Sequence, residues 1–210
     1  MSPVARMGRS AAMSPVAAVR INRPRPARPP CVAPDLVRRA NEVLRCLADR
    51  GATIVSAESC TAGLIAAAFS QGDGASDVLH GGFVTYTKAH KSRALGVSKR
   101  VLDRLGSVNK TVALELAKGA LKHSTADLAI AVTGVLGPEP DEDGNPVGLV
   151  YLCCRHTTGH TRHLRLHPKK APHDQLRARA IVAALDLVEA TLENLPPTAG
   201  RRLAGAHAPK

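Results

Sequence analysis

Glu58-Ser-Cys-Thr-Ala-Gly63 sets two hydroxyls and a thiol side by side, where a β-type run, Ala52–Ser56, gives way to a helix of small residues, Leu64–Phe69. The N–H groups of a helix's first turn lack internal partners, and the helix dipole is positive there. Such a turn can hold an anion, stabilise an oxyanion or activate a nucleophile. Ser59 is the first candidate nucleophile, and a serine hydroxyl needs a base to take its proton. None of the nine histidines stands in a recognisable triad spacing, and the chain has no Gly-x-Ser-x-Gly elbow. Lysine is the rival base. Lys88 and Lys91 directly follow a second β-type run, Gly82–Tyr86, and a lysine buried near other donors loses its charge close to neutral pH. Lys91 lies five residues beyond Tyr86, so Ser59, Lys91 and Tyr86 would make a cluster that needs no metal. On spacing alone a plainer reading stays open, with Ser59 as a helix N-cap and Lys91 as a solvated helix residue. Cys60 is either an alternative nucleophile, since helix N-termini lower a thiol's pKa, or a small core filler. The acidic loop Glu139–Asp143 lacks an EF-hand pattern and reads as solvated.

The elements that must position these residues follow from periodicity. Asp35–Arg50 is an amphipathic helix, with Leu36, Val37, Ala40, Val43, Leu44 and Leu47 on one stripe and Gly51 at its end. A Gly/Asp/Ser loop, Gln71–Asp77, leads to the second strand. Helices follow near 88–95 and 98–105, and Asn109 is placed to cap a longer one over 110–123. Asp127–Thr133 is a continuous apolar strand of the kind buried on both faces. Val147–Cys154 and His160–Leu166 pair as a hairpin through Thr157-Thr-Gly159, and the last helix spans His173–Asn194. The order α-β-α-β-α-α-α-β-β-β-α predicts a single three-layer α/β/α domain with a mixed sheet. The loops after the strands ending at Ser56, Tyr86 and Thr133 are those expected to converge on a site.

Composition bounds the rest. The 210 residues suffice for one ordinary domain with tails. No apolar run approaches the ~20 residues that cross a bilayer. Aromatics make up 2% of the chain, with no Trp, which argues against recognition of nucleic acid by base stacking. The formal charge of +12 is carried mostly by the ends: residues 1–34 hold six arginines and no acid, and residues 201–210 hold three more basic residues. We therefore expect disordered tails over 1–34 and 196–210 around a domain over 35–195. Met1-Ser-Pro-Val-Ala-Arg6 is nearly repeated from Met13, as a start at Met13 or a short duplication would produce. The five cysteines have no zinc-ligand spacing and suit a reducing cytoplasm. Cys153 and Cys154, adjacent on a strand, must point to opposite faces.

Taken together, these motifs resemble the C-terminal domain of the CinA (competence/damage-inducible) family, the nicotinamide-nucleotide amidohydrolases, over roughly Val37–Leu192. Ala57-Glu-Ser-Cys-Thr-Ala-Gly63 is similar to the family's Ala-Glu-Ser-Cys-Thr-Gly-Gly. Gly82, Val84, Tyr86 and Lys91 match its Gly-x-Val-x-Tyr and following lysine, with Leu95-Gly-Val97 after it. Thr133-Gly-Val-Leu-Gly-Pro138 is similar to Thr-Gly-Ile-Ala-Gly-Pro, and Pro146-Val-Gly-Leu-Val150 to Pro-Val-Gly-Thr-Val. The resemblance implies deamidation of nicotinamide mononucleotide to nicotinate mononucleotide and ammonia, with no metal or other cofactor. It implies Ser59 as nucleophile, Lys91 as base and Tyr86 as the residue that orients or relays the proton. Cys60, Thr61, Gly63, Ser76, Thr133 and Gly134 would bind substrate. It also makes a homo-oligomer the expectation, and at this length leaves no room for the family's second, N-terminal domain.

Departures from the pattern point to altered specificity or weak activity, so a nucleotide-binding or regulatory protein without turnover is the alternative. Ala62 replaces a glycine, Leu136 an alanine, and Glu139-Pro-Asp-Glu-Asp a glycine pair. His167-Pro-Lys-Lys-Ala-Pro-His173 stands where a Gly-Asp-Arg is expected. There Lys170, or Lys169, would supply the positive charge without an arginine's bidentate geometry.

Overall fold

The computed structural model describes residues 32–167 and 171–195. The expected basic tails and Lys170 fall, but for Val32, Ala33 and Pro34, outside these residues. Helix α1 (Pro34–Asp49) leads to β1 (Ile54–Glu58), α2 (Leu64–Ser70), the single turn α3 (Ala75–Val78) and β2 (Leu79–Val84). Helices α4 (Lys88–Leu95), α5 (Lys99–Leu105) and α6 (Lys110–Lys122) then lead to β3 (Leu128–Gly134). Strands β4 (Val150–His156) and β5 (Thr161–Leu166) and helix α7 (His173–Glu193) complete the chain. The sheet order is β2-β1-β3-β4-β5, with β2, β1 and β3 parallel and the β4–β5 hairpin antiparallel.

This is the three-layer mixed-sheet α/β domain that the element order predicts. Alternate residues of the central strands feed two cores. Ile54, Leu128, Ile130, Leu152 and Cys154 pack with α1, α2 and α7. Val55, Ala57, Ala129, Ala131 and Cys153 pack with α4 to α6. Cys153 and Cys154 thus divide between the two faces, as a two-residue repeat requires. The second layer closes tightly: a Cβ built on Gly119 of α6 would stand 2.1 Å from the Leu95 carbonyl oxygen at the end of α4.

Three strands sit differently from the expectation: β4 starts at Val150, not Val147, and runs on to His156, past Cys154. β1 runs to Glu58, past Ser56, because Glu58 is entirely buried among hydrogen-bond donors rather than solvated. β2 begins at Leu79 and ends at Val84, so Thr85 and Tyr86 lie beyond it. β1 leaves through α2 to β2 on one side, and the chain returns through α4–α6 to β3 on the other. The order therefore reverses beside β1, and the carboxyl ends of the strands open a crevice there. Glu58 is level with both Val84 and Val132, so Ser59, Thr85 and Thr133 share one rim.

Candidate active site

The turn after β1 is built around Glu58. Its carboxylate accepts hydrogen bonds from the hydroxyls of Ser56 (2.9 Å) and Thr61 (2.7 Å). It also accepts from the amides of Gly63 (3.0 Å), Ile65 (3.0 Å) and Ala66 (2.9 Å). The start of α2, read from sequence as able to hold an anion, stabilise an oxyanion or activate a nucleophile, is occupied by the protein's own acid. Thr61 and Gly63, read from the resemblance as substrate-binding, donate to Glu58 through the Thr61 hydroxyl and the Gly63 amide. The family motif shows a glutamate here, but only the fold reveals that its task is to cap the helix. Ala62 takes φ of 53° at the tip of this turn, in the left-handed region that a Cβ penalises.

Ser59 follows at once. Its amide donates to Val132 O (3.2 Å), which fixes the turn on β3. Lys91 comes from the first turn of α4, where Thr87 caps the helix by accepting from the His90 amide (3.1 Å). Its Nζ donates to Ser59 Oγ at 2.8 Å, to Thr85 O at 3.0 Å and to Tyr86 O at 2.9 Å. All three N–H bonds of an ammonium are thereby matched to oxygens. Lys91 is 1% exposed, and this burial lowers its pKa to about 8, with the Lys88 charge adding to the effect. No acid pairs with it, so the neutral amine is within reach near physiological pH. Once one proton leaves, the Ser59 hydroxyl can donate to the nitrogen lone pair. Lys88, the other candidate base, has a different setting. It pairs with Glu142 (2.8 Å) and Asp143 (2.7 Å), and these acids raise it to about 12. The Cys60 thiol is pushed by burial up to about 12 as well, so little thiolate forms beside the serine.

Above the pair opens a cavity of about 600 Å³, lined by Ser59, Cys60, Tyr86, Gly134, Leu136 and His173, among others. The amides of Cys60 and Thr61 donate to no backbone carbonyl among the described residues. Tyr86 meets Lys91 through its carbonyl. Its side chain is 68% exposed at the cavity mouth and bonds neither Ser59 nor Lys91. Thr133 is buried at the end of β3, where its hydroxyl donates to Ser107 O at 2.7 Å. Ser76, in α3, is exposed and does not line the cavity. The acidic loop is not simply solvated: Glu139, Asp141 and Glu142 form part of the cavity wall. Among the described residues no cluster of His, Cys, Asp or Glu is arranged to hold a metal, and no helix is long and apolar enough to cross a membrane.

The family model of the CinA C-terminal domain matches residues 37–192. The chain belongs to the CinA family. Over 143 residues it is 38% identical to a protein of Acetivibrio thermocellus named as a competence-damage inducible protein, covering 68% of this chain and 34% of that one. A CinA-like protein of Mycobacterium marinum is 39% identical over 152 residues, with 71% and 35% covered. The chain thus spans about a third of the length of these curated CinA relatives. Among solved structures, the competence/damage inducible protein CihA from Agrobacterium tumefaciens superposes with a TM-score of 0.73 at 35% identity, covering 76% of this chain and 97% of that one. A CinA-superfamily protein from Klebsiella pneumoniae superposes with the same TM-score at 29% identity, with 76% and 99% covered.

Proposed function

We propose that this CinA domain is a serine–lysine amidohydrolase that cleaves the carboxamide of a nicotinamide nucleotide, with nicotinamide mononucleotide as the reference substrate. The observation that carries the reading is the 2.8 Å contact between Lys91 Nζ and Ser59 Oγ at the floor of an open cavity. Neutral Lys91 takes the proton of Ser59 as its oxygen attacks the carboxamide carbon. The negative charge that develops on the carbonyl oxygen would be met by the amides of Cys60 and Thr61, in the turn beside Ser59. Lys91 then returns the proton to the departing nitrogen, and ammonia leaves an acyl ester on Ser59. Water attacks that ester with Lys91 again as base, releasing the carboxylate and restoring the hydroxyl. No step calls for a metal.

A second reading, nucleotide binding without turnover, draws on Leu136, which puts a branched side chain into the cavity wall. Ammonia release from nicotinamide mononucleotide separates the two. Release by the native protein and not by Ser59→Ala supports the hydrolase. Stabilisation by the nucleotide without product supports the binding protein. An inactive Cys60→Ser beside an active Ser59→Ala would remove the serine assignment.

A further inference from the structure

The acidic loop is closed on itself. The Asp141 carboxylate accepts from the amides of Asp143 (3.0 Å) and Asn145 (2.8 Å) and from the Asn145 side chain. Asp143 instead reaches out of the loop. Its Oδ1 accepts from Lys88 Nζ at 2.7 Å, and its Oδ2 from the Ser107 amide at 3.1 Å. Gly106 leaves room for this carboxylate, since a Cβ built there would stand 2.5 Å from Oδ2. One side chain thus joins three segments that line the cavity: the start of α4, the connection before α6 and the acidic loop. The connection is bound in turn to β3, because Ser107 O accepts from the Thr133 hydroxyl at 2.7 Å.

A lone surface ion pair is worth little, because two flexible side chains must be ordered to make it. Here the acid is short and already fixed by a backbone amide, and Lys88 also meets Glu142 at 2.8 Å. Lys88 stands one helical turn before Lys91, so whatever holds Lys88 holds the turn that aims the base at Ser59. The Lys88 ammonium also acts on Lys91 as a like charge that opposes its protonation, and Asp143 and Glu142 offset that charge. We propose that Asp143 is a positioning residue for the Ser59–Lys91 pair: through Lys88 and Ser107 it locks the turn that carries the base and seats two walls of the cavity. The inference rests on the serine–lysine reading for the task it gives Lys91.

The test compares Asp143→Asn, Lys88→Met and the double variant in the full-length protein. The titration of Lys91 is followed by NMR of the lysine Cε groups, with its signal identified by its loss in Lys91→Met. This readout does not depend on turnover. Asp143→Asn leaves Lys88 with one acid fewer, so Lys91 should titrate a few tenths of a pH unit lower than in the native protein. Lys88→Met removes the like charge and leaves both acids, so Lys91 should titrate higher by a similar amount. The double variant should return close to the native midpoint. Added salt should shrink both shifts. Cys60 and Glu58 in the turn after β1, Tyr86 after β2 and His173 at the start of α7, the other titratable groups around the pair, are the same in every variant. Ammonia release from nicotinamide mononucleotide is measured in parallel. It should fall about tenfold in all three variants, the double included, because the wall stays untied even where the charge is balanced. Midpoints that stay at the native value, or that move the same way in both single variants, overturn the inference. So does turnover at the native rate in all three. Opposite shifts in a protein that releases no ammonia leave the positioning of Lys91 standing and defeat the hydrolase reading alone.

Discussion

Lys91 Nζ and Ser59 Oγ stand 2.8 Å apart although 32 residues separate them in the chain. The contact depends on β1 and β2 being neighbours with level carboxyl ends, so that the turn after one faces the helix after the other. Ser59→Ala removes one hydroxyl and leaves Lys91 bonded to the Thr85 and Tyr86 carbonyls. We expect turnover to fall by about a thousandfold or more, with thermal stability changed by less than about 1 kcal/mol. Lys91→Met should abolish turnover equally, but it also strands the buried Thr85 carbonyl and the half-buried Tyr86 carbonyl and is expected to cost about 1–3 kcal/mol. Rate assays paired with denaturant titrations separate the two effects. Lys91→Arg should not rescue activity, since a guanidinium does not give up its proton in this pH range.

The pH profile follows from the lysine's burial. Lys91 is lowered to about 8, so its basic form is the minor one at pH 7 and predominates above about pH 8. The rate constant kcat/KM should rise about tenfold per pH unit below that point and level off above it. Stability should move in the same direction. Between the folded pKa near 8 and the ordinary lysine value of 10.5, the unfolded chain binds the additional proton, so folding becomes more favourable as pH rises through that window. A flat profile from pH 6.5 to 9 would count against Lys91 as the base.

Glu58 holds the catalytic turn. Its two oxygens receive five donors from residues 56 to 66. Glu58→Gln exchanges one acceptor oxygen for an amide that faces donors, so at least one buried N–H or O–H loses its partner. Loss of about 2–3 kcal/mol of stability is expected. Thr61→Val, which removes one of the five donors, should cost about 1 kcal/mol. Chemical denaturation of the two variants measures the difference, and a Glu58→Gln protein as stable as the native one would disprove the role.

Ala62 offers the opposite experiment. It is exposed and held at φ of 53°, a conformation costing a residue with a Cβ about 1–2 kcal/mol. Ala62→Gly removes that strain but frees the unfolded chain, which offsets about 0.4–1 kcal/mol. The net expectation is a gain of about 0.5–1 kcal/mol, read as a higher Tm.

Period and propensity in the sequence were enough to order the elements, because an amphipathic stripe or an alternating strand is a local property. Asn109, read as a helix cap, does accept from the Val112 amide at 2.9 Å. The two faces of Cys153 and Cys154 followed from strand geometry alone. The short helix α3 escaped notice because its four residues sit inside a glycine-rich loop and carry no stripe. The motif around Ser59 and the lysine after Tyr86 were visible as residue types, and the motifs identified the family.

Which of two lysines meets the serine was a tertiary matter. Lys88 and Lys91 differ by three positions, yet helix rotation sends one to the acids of a distant loop and buries the other away from any acid. Only packing creates the desolvation that brings Lys91 toward neutrality, and only packing shows that Glu58 saturates the helix start that seemed free for a ligand. The acidic stretch from Glu139 looked like a solvated loop because sequence records charge and not what the charge faces. The fold decided the matter by laying Lys88 and Ser107 against that loop, and so placed the carboxylates on the cavity wall.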